Sequence, residues 1–327
     1  MTPEYLKELL PSLLNADFAG ATNVRLLSLA RTYAALCDLA TFDFPSGEYG
    51  TRKIWLQRID TLFGVLRERC RRESDAALRC LRAGKHVLCE KPATISAAEM
   101  EEILHTARTE GRIFAEAVMN FYSPVTDRLR AELAQDPVVS ARLDYSQRSS
   151  KLDKLRAGAH ITSFDRKLYG GVLTDLGCYV LHFAVNLFGA PKKLDASAVF
   201  LGEVDGTDVL TLHYDGFDVS VTVSKCAHSM IGSEIQCDRA TYTLKNLSVV
   251  LGVEKHTMDT CEEYECGIAC PGWPIANPAM LPGVQERVVR RFDRWVRGED
   301  LAAQQRLLQQ SLTVQKLIEE AHRQMGY

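Results

Sequence analysis

Residues 84–92 read GKHVLCEKP, a short apolar strand that ends on Glu90, Lys91 and a proline. Glycine and proline bound the run, as is typical of a strand between turns. The helical pattern DAALRCLRA precedes it and predicts a helix that stops near Gly84. A strand entered directly from a helix is the repeating unit of a parallel α/β sheet. The stretch therefore predicts an α/β fold with a charged pair at a strand end.

The neighbouring segments continue this alternation. ISAAEMEEILHTARTEG, over 95–111, predicts a helix with Ser96 as N-cap and Glu99 completing a capping box. RIFAEAVMNF predicts another short strand, and residues 3–30 read as a helix followed by a buried strand. We therefore expect a Rossmann-like parallel sheet over residues 1–120, covered by helices on both faces.

The hydrophobic pattern changes beyond about residue 140, where strand-like runs with period-two alternation predict a large, open, mainly antiparallel sheet. These runs are ARLDYSQ, LDASAVFLGEV, DVLTLHYDG, FDVSVTVSKC, SEIQCD, ATYTLKN and SVVLGV. LGCYVLHFAVNLFG predicts a helix between them, and a long amphipathic helix runs from about Gln285 to Met325 with a break near Gly298. Residues 121–327 should thus form a second α/β domain, whose last helix packs back on the first.

Composition limits the classes of partner. At 327 residues the chain exceeds the usual size of one hydrophobic core, and 39 basic against 42 acidic residues give a net charge of -3. That charge produces no field that would attract nucleic acid or an anionic membrane. The segment MTPEYLKELLPSLL lacks the features of a signal peptide, and no run of 18 apolar residues is apparent. We expect a cytoplasmic protein whose partner is a small molecule or a second copy.

The ten cysteines are scattered, which fits reduced thiols. Cys261, Cys266 and Cys270 form the one cluster, in CEEYECGIACPGW. Their spacing is not C-x-x-C and no fourth ligand lies nearby, so loop cysteines are favoured over a metal site.

Two motifs together carry a resemblance. GKHVLCEKP, followed at residues 170–179 by GGVLTDLGCY, resembles the Gfo/Idh/MocA family, named for glucose-fructose oxidoreductase and inositol dehydrogenase. The likeness runs from about Ser74 onward and includes EAVMNFY, DYSQRSSKLD and SKCAHSMIGSEIQ. It implies NAD or NADP as cofactor, a sugar, cyclitol or dihydrodiol as substrate, and a homodimer formed by the open sheet. It also implies a cis peptide before Pro92.

The resemblance carries three catalytic residues into this sequence. Oxidising a secondary alcohol requires removal of the hydroxyl proton, and reduction requires its supply. Tyr179 is expected to be this acid/base, Lys91 the cation that lowers its pKa and polarises the oxygen, and Asp175 a hydrogen-bond acceptor for a substrate hydroxyl. The reverse assignment of Lys91 and Tyr179 is an open alternative. As structural alternatives, Asp175 would cap a helix and Tyr179 would be a core aromatic.

Further residues are assigned to the two ligands. The cofactor-binding candidates are Glu90, Lys91, Pro92 and Arg31. The substrate-binding candidates are Asn120, Tyr122, Arg148 and Asp175. Arg31 follows the second predicted strand, where relatives that prefer NADP contact the 2′-phosphate, so NADP is slightly favoured; a surface arginine is an equally ordinary reading. A basic solvated loop is the plainer reading of Arg148, and His182 is expected to be a packed core histidine.

The first 75 residues depart from the family pattern. A Rossmann domain places G-x-G-x-x-G after its first strand so that backbone N–H groups can approach the pyrophosphate, and this sequence contains no such motif. Where relatives carry A-T-P-N-x-x-H, it reads LFGVLRERCRRESDA, with Cys70 and Glu73 at the Asn and His positions. The parallel sheet is therefore expected to be incomplete at its N-terminus, as if the chain began after the phosphate loop. Degeneration, a different start or early reading frame, and unusual cofactor contacts are three open explanations.

Two function classes follow. The first is an NAD(P)-dependent oxidoreductase, favoured by intact Lys91, Asp175 and Tyr179. The second is a catalytically silent homologue that acts as a ligand-binding or oligomeric protein, favoured by the absent glycine loop. Cofactor binding separates them, and we expect it to be weaker than in an intact relative.

The second domain also predicts an interface. The outward set on two of its strands is small and polar instead of densely charged, which suits a sheet face that meets another sheet. This set consists of Thr211, His213, Ser220, Thr222 and Ser224. We expect a homodimer with the two open sheets packed face to face about a twofold axis.

Overall fold

The computed structural model describes residues 73–244, 246–265 and 283–327. Its α-helices there are α1 (Glu73–Arg82), α2 (Ala97–Thr109), α3 (Pro124–Leu133), α4 (Leu152–Arg156), α5 (Cys178–Phe188), α6 (Val284–Val296) and α7 (Leu301–Met325). Short 3-10 turns span Met119–Tyr122, Thr162–Phe164 and Arg166–Leu168, and a π-helix spans Leu173–Gly177. The strands are β1 (Val87–Cys89), β2 (Phe114–Glu116), β3 (Val138–Ser146), β4 (Lys193–Leu201), β5 (Val204–His213), β6 (Asp218–Ser224), β7 (Ser233–Cys237), β8 (Thr241–Leu244), β9 (Gly252–His256) and β10 (Cys261–Glu265).

The two short strands β1 and β2 pair in parallel, as the alternation of helix and strand predicts. Gly84 ends the turn after α1 with a φ of 73°, a conformation that glycine adopts without strain. The Ser96 hydroxyl caps α2 by accepting the N–H of Glu99 at 3.2 Å, as expected. The helix and strand expected over residues 3–30, together with Arg31 and Cys70, lie outside the described residues.

The larger sheet has eight strands in the order β10-β9-β8-β7-β3-β6-β5-β4. Its described pairs are antiparallel except β3 with β6, which run parallel, so the prediction of a large, mainly antiparallel sheet is confirmed. Side chains alternate between the two faces of the sheet, as expected. Leu212 and Val221 point into the core and pack in one cluster with Phe183 of α5. Val209 and Ser220 point to the opposite face. One face of the sheet is therefore covered by helices of this chain.

The strand expected at SVVLGV, over 248–253, is wrong in its first part. The Asn246 side chain accepts the N–H groups of Ser248 at 3.0 Å and Val249 at 3.2 Å, which folds this apolar stretch into a buried turn. The strand β9 begins only at Gly252. Apolar composition therefore marked a buried segment without specifying strand geometry.

The loop expected around the cysteine cluster is also wrong at its first member. Cys261 begins β10 and is exposed. Cys266 and Cys270 lie outside the described residues.

The break expected in the C-terminal helix is confirmed: α6 and α7 flank Gly298, whose φ is 83°. Side chains of α7 contact both sheets. Gln304 donates to the Phe114 carbonyl at 2.9 Å, whereas Gln324 donates to the Leu194 carbonyl at 2.8 Å. In addition, Glu319 accepts the Ala97 N–H at 2.7 Å. The helix thereby fixes α2, β2 and β4 to one another.

Among the described residues, one segment is long and apolar enough to cross a membrane, namely Arg166–Phe188. It contains the π-helix and α5. Because 67% of its most apolar window is buried inside the protein, we interpret it as a core helix.

Candidate active site

The first part of the site is the end of β1. Glu90 and Lys91 follow the last residue of this strand, so they lie beyond its carboxyl end, the edge at which open α/β sheets bind ligands. The Lys91–Pro92 peptide is cis, as the resemblance implied. Lys91 donates to the Asp175 main-chain carbonyl at 2.7 Å and lies 3.3 Å from the Asp175 carboxylate. The two sequence motifs therefore meet at Lys91.

The second part is the π-helix that carries Asp175. Single π-turns are frequent at functional sites because they widen the backbone ladder, and here the Asp175 carbonyl accepts Lys91 from outside the helix. Asp175 Oδ2 lies 2.8 Å from Lys225, so the carboxylate is placed between two ammonium groups. Asp175 lies within the π-helix, so the cap interpretation is wrong. Its side chain is 43% exposed and faces solvent from the edge of the cluster.

The glycine pair of the second motif fixes where this π-helix starts. Gly171 has a φ of 138°, and a Cβ at this position would collide with the Asp205 carboxylate. Asp205 is buried and accepts the Leu173 N–H at 2.7 Å. Only glycine leaves room for this carboxylate at the helix start, which explains the residue type in the motif.

The third part is Tyr179, which is buried on α5 one turn beyond Asp175. The Lys91 ammonium lies 4.6 Å from the centroid of its ring, a cation–π distance. Tyr145 of β3 packs edge to face against the same ring, with centroids 6.2 Å apart. Tyr179 is thus both a core aromatic and a wall of the site, so the two interpretations are compatible.

Burial and charge set the protonation states in this cluster. The surrounding protein partly desolvates the Asp175 carboxylate and so disfavours its charge, but Lys91 and Lys225 outweigh this effect and hold its pKa well below the usual range. Burial also disfavours the Lys91 ammonium, but its acidic neighbours outweigh it and raise the pKa of Lys91. At neutral pH Asp175 is therefore ionised and Lys91 keeps its proton.

Two neighbouring groups are held in their protonated forms. Burial raises the pKa of the Cys178 thiol to about 11. For Tyr179, burial outweighs the lowering by Lys91, and the net pKa is raised. Lys91 therefore lowers the pKa of Tyr179, as expected, but burial has the larger effect.

Sequence reasoning missed Lys225, although its position carried a signal. It directly follows β6 and continues the inward series of Val219, Val221 and Val223 at a spacing of two. A lysine in register with a buried set needs an internal partner. Asp175 is that partner, and the Lys225 side chain is only 5% exposed.

Sequence reasoning also missed Glu116, the last residue of β2. Its buried carboxylate accepts the Ala93 N–H at 2.9 Å and lies 3.4 Å from His182. Although burial opposes ionisation, His182 outweighs it and lowers the pKa of Glu116. His182 is buried, as expected, and its other ring nitrogen contacts Gln310 at 2.9 Å. This pair fixes the backbone just after Pro92 and so supports Lys91.

Three of the residues expected to contact substrate have protein partners in the structure. The buried Asn120 amide donates to the carbonyls of Tyr179 at 2.8 Å and Leu247 at 2.9 Å. The Tyr122 hydroxyl donates to the Glu116 carbonyl at 2.8 Å, and Arg148 pairs with Asp153 at 2.6 Å. The contact of these side chains with substrate stays a prediction. Glu90 remains exposed at the strand end.

Comparisons with known proteins find matches to both parts of the chain. Residues 57–118 match the family described as "Oxidoreductase family, NAD-binding Rossmann fold", and residues 137–243 match the GFO/IDH/MocA C-terminal domain. The NADP(+)-dependent scyllo-inositol 2-dehydrogenase IolU of Bacillus subtilis is 33% identical over 254 residues, which cover 77% of this chain and 74% of that protein. Bovine (Bos taurus) trans-1,2-dihydrobenzene-1,2-diol dehydrogenase is 37% identical over 144 residues, or 43% of this chain and 42% of that protein.

Solved structures extend the likeness to the fold. The 3-ketoreductase KijD10 from Actinomadura kijaniata, solved with NADP and TDP-benzene, superimposes with a TM-score of 0.62 over 78% of this chain and 76% of its own. Its sequence identity is 18%, so this similarity concerns the fold alone.

Proposed function

Because the chain belongs to the Gfo/Idh/MocA family of oxidoreductases, we propose that it transfers a hydride between a nicotinamide cofactor and a secondary alcohol or carbonyl. The observation that carries the proposal is the contact of Lys91 with both Asp175 and Tyr179. The substrate class we propose is a sugar, cyclitol or dihydrodiol. The names of the Bacillus and bovine relatives support a polyol of this kind.

The strand end offers a fitting place for the nicotinamide. Glu90, Lys91 and Pro92 lie where α/β sheets bind ligands, and the ammonium of Lys91 is fixed by Asp175. A nicotinamide bound there supplies or accepts the hydride. We favour NADP over NAD because of Arg31, which lies outside the described residues, and because the Bacillus relative is named as NADP(+)-dependent.

Side chains of this protein would transfer the proton and stabilise the charge on the substrate oxygen. In carbonyl reduction, the Tyr179 hydroxyl donates its proton to the carbonyl oxygen as the hydride reaches the carbon, so that C=O becomes CH–OH. The Lys91 ammonium stabilises the negative charge that develops on that oxygen. Asp175 holds Lys91 and accepts a hydrogen bond from a neighbouring substrate hydroxyl. The same steps in reverse oxidise the alcohol.

One sequence observation favours a second candidate function. The 327 residues contain no G-x-G-x-x-G loop, whose backbone N–H groups cradle the pyrophosphate in related folds. A chain that holds the substrate but not the cofactor would be a silent homologue, acting as a ligand-binding or oligomeric protein.

Cofactor titration and turnover separate these candidates. Purified protein is titrated with NADPH and NADH while cofactor fluorescence is followed, and a panel of inositols, aldoses and dihydrodiols is then assayed at the highest cofactor concentration reached. Turnover with any polyol supports the oxidoreductase. Absence of both binding and turnover at millimolar cofactor refutes it in favour of the silent homologue.

A further inference from the structure

Lys225 is a buried cation directly behind Asp175. Its ammonium donates to the carbonyls of Ser163 at 3.1 Å and Gly171 at 2.9 Å, and it lies 2.8 Å from Asp175 Oδ2. The ring of Phe164 lies 5.0 Å from the same nitrogen. A lysine ammonium has three N–H donors, and these three oxygens account for all of them. Lys225 is therefore committed to the protein and has no donor left for a substrate.

The two lysines use different oxygens of one carboxylate. Lys225 contacts Oδ2 of Asp175, whereas Lys91 contacts Oδ1 and the main-chain carbonyl. Lys225, whose side chain is 5% exposed, thus fixes Oδ2 of Asp175. This orientation directs Oδ1 towards Lys91 at the strand end. Because the Asp175 side chain is 43% exposed, water would compete for its carboxylate if Lys225 were removed.

We propose that Lys225 is a positioning residue for the reaction, which acts by fixing the Asp175 carboxylate in the orientation that holds Lys91. This inference rests on the proposed function for its kinetic consequence. Its structural consequence, the orientation of Asp175, does not depend on turnover. No bond forms or breaks at Lys225.

The charge on Lys225 also has an effect that packing alone would not have. Two ammonium groups keep Asp175 ionised at every pH in the ordinary working range. Removing one of them raises the pKa of Asp175 towards its usual value. Once protonated, Asp175 no longer holds Lys91 by an ion pair. The activity of a variant without the Lys225 charge should therefore fall at acid pH, whereas that of the wild type should not.

The kinetic test compares Lys225→Met with Lys225→Arg. We expect Lys225→Met to lower kcat roughly ten- to a hundredfold, the usual cost of removing an outer support of a reactive group, with a smaller effect on KM. In Lys225→Met, kcat/KM should fall at acid pH, a decrease that the wild type does not show. Lys225→Arg keeps the charge, so its pH profile should resemble that of the wild type. Lys255→Met removes a lysine paired with Glu132 in the same sheet and should leave kcat and the profile unchanged.

The structural test uses crystal structures of the wild type and of the variant without cofactor. We expect the Asp175 carboxylate to rotate away from Lys91 in Lys225→Met. If that variant does not fold, Lys225→Gln keeps an amide donor for the Ser163 and Gly171 carbonyls without the charge. An unmoved Asp175 in the neutral variant would overturn the proposal, as would a drop in kcat without the decrease of kcat/KM at acid pH. A wild type without turnover would instead refute the proposed function and leave the crystallographic test standing.

Discussion

At the scale of single residues, Lys91 is the point of contact between a strand end and a helix. Removing its charge should therefore abolish turnover without unfolding the protein, because its side chain lies at the edge of the core. We expect no measurable turnover with Lys91→Met. Lys192→Met serves as the control, since this exposed lysine pairs with Asp215 on the surface. Wild-type rates in Lys91→Met would contradict the assignment.

Tyr179 should behave as the proton donor. We expect Tyr179→Phe to lower kcat on the order of a hundredfold or more, the range typical of a lost acid/base. The ring that packs against Tyr145 and Lys91 stays in place, so the midpoint of thermal unfolding should change little. A loss of less than threefold would favour the reverse assignment, in which Lys91 transfers the proton.

The pKa shifts predict opposite pH dependences for the two directions of the reaction. Burial raises the pKa of Tyr179, and neighbouring acidic groups raise that of Lys91 against the effect of burial, so both hold their protons at neutral pH. Reduction uses these protonated forms and should be level through neutral pH. Oxidation needs deprotonated Tyr179, so its kcat/KM should rise about tenfold per pH unit into the alkaline range. Initial rates in both directions test this, and a level oxidation profile would contradict it.

At this scale the sequence revealed the residues whose types and spacing form motifs, namely Lys91, Asp175 and Tyr179. It did not reveal Lys225 or Glu116, because a buried charge is defined by a partner far away in the chain. The partner of Lys225 is 50 residues away by number, at Asp175, and that of Glu116 is His182. The local pattern can mark such a charge as buried, as it does for Lys225, but it does not identify the partner.

At the scale of secondary-structure elements, the carboxylate at the end of β2 supports the backbone that follows β1. Glu116→Gln should weaken the contact with His182 and leave a buried imidazole without its anion. We expect the free energy of unfolding to fall by about 2 kcal/mol, within the usual range for losing a buried hydrogen bond to a charged group. Glu132→Gln is the control, because Glu132 is partly exposed and its loss should cost less than about 1 kcal/mol. Equal losses in the two variants would contradict this role.

The effect of Glu116 should also depend on pH. Its folded pKa is lowered, so its contribution to stability is present above the unfolded value of about 4.3 and is lost as the pH falls through the folded value. The stability difference between wild type and Glu116→Gln should therefore shrink as the pH falls below about 4. Urea unfolding at neutral and at acid pH measures this difference, and a gap that widens on acidification would refute the assignment.

Elements that follow hydrophobic period or cap chemistry were predictable, as α2 with its Ser96 cap and β5 with its alternating residues illustrate. The π-helix was not, because Leu173–Gly177 has the same apolar spacing as an α-helix. Its register depends on Asp205 at one end and on Lys91 at the Asp175 carbonyl, contacts that the local sequence does not contain. The turn after Asn246 was missed because a side-chain bond overrides strand propensity.

At the scale of the whole molecule, we expect a second copy to pack on the face of the large sheet that the described helices leave uncovered. Val209, halfway along β5 on this face, is 50% exposed and lies opposite Ser197 on one side and Thr222 on the other. Apolar and small polar residues at such a position favour contact with another sheet. Ser224, at the edge of the set, is instead buried and contacts Thr207 at 2.7 Å.

Light scattering coupled to size-exclusion chromatography tests the dimer. We expect twice the mass of one chain for the wild type at micromolar concentration, and a shift towards the monomer in Val209→Asp, because a carboxylate would be buried without a partner. Val289→Asp is the control, as Val289 is similarly exposed but lies on α6. A wild-type mass of one chain would rule the dimer out.

The contacts of α7 also affect how the protein is made on the ribosome. The chain is synthesised from its N-terminus at about 5–20 residues per second, so α2, β2 and β4 leave the exit tunnel before α7. Their backbone therefore waits for its contacts with Gln304, Glu319 and Gln324 of that helix. Until α7 emerges, the apolar surfaces that it covers remain open to chaperones and proteases. The nascent chain should therefore become protease-resistant in one late step, once α7 has left the exit tunnel, instead of strand by strand.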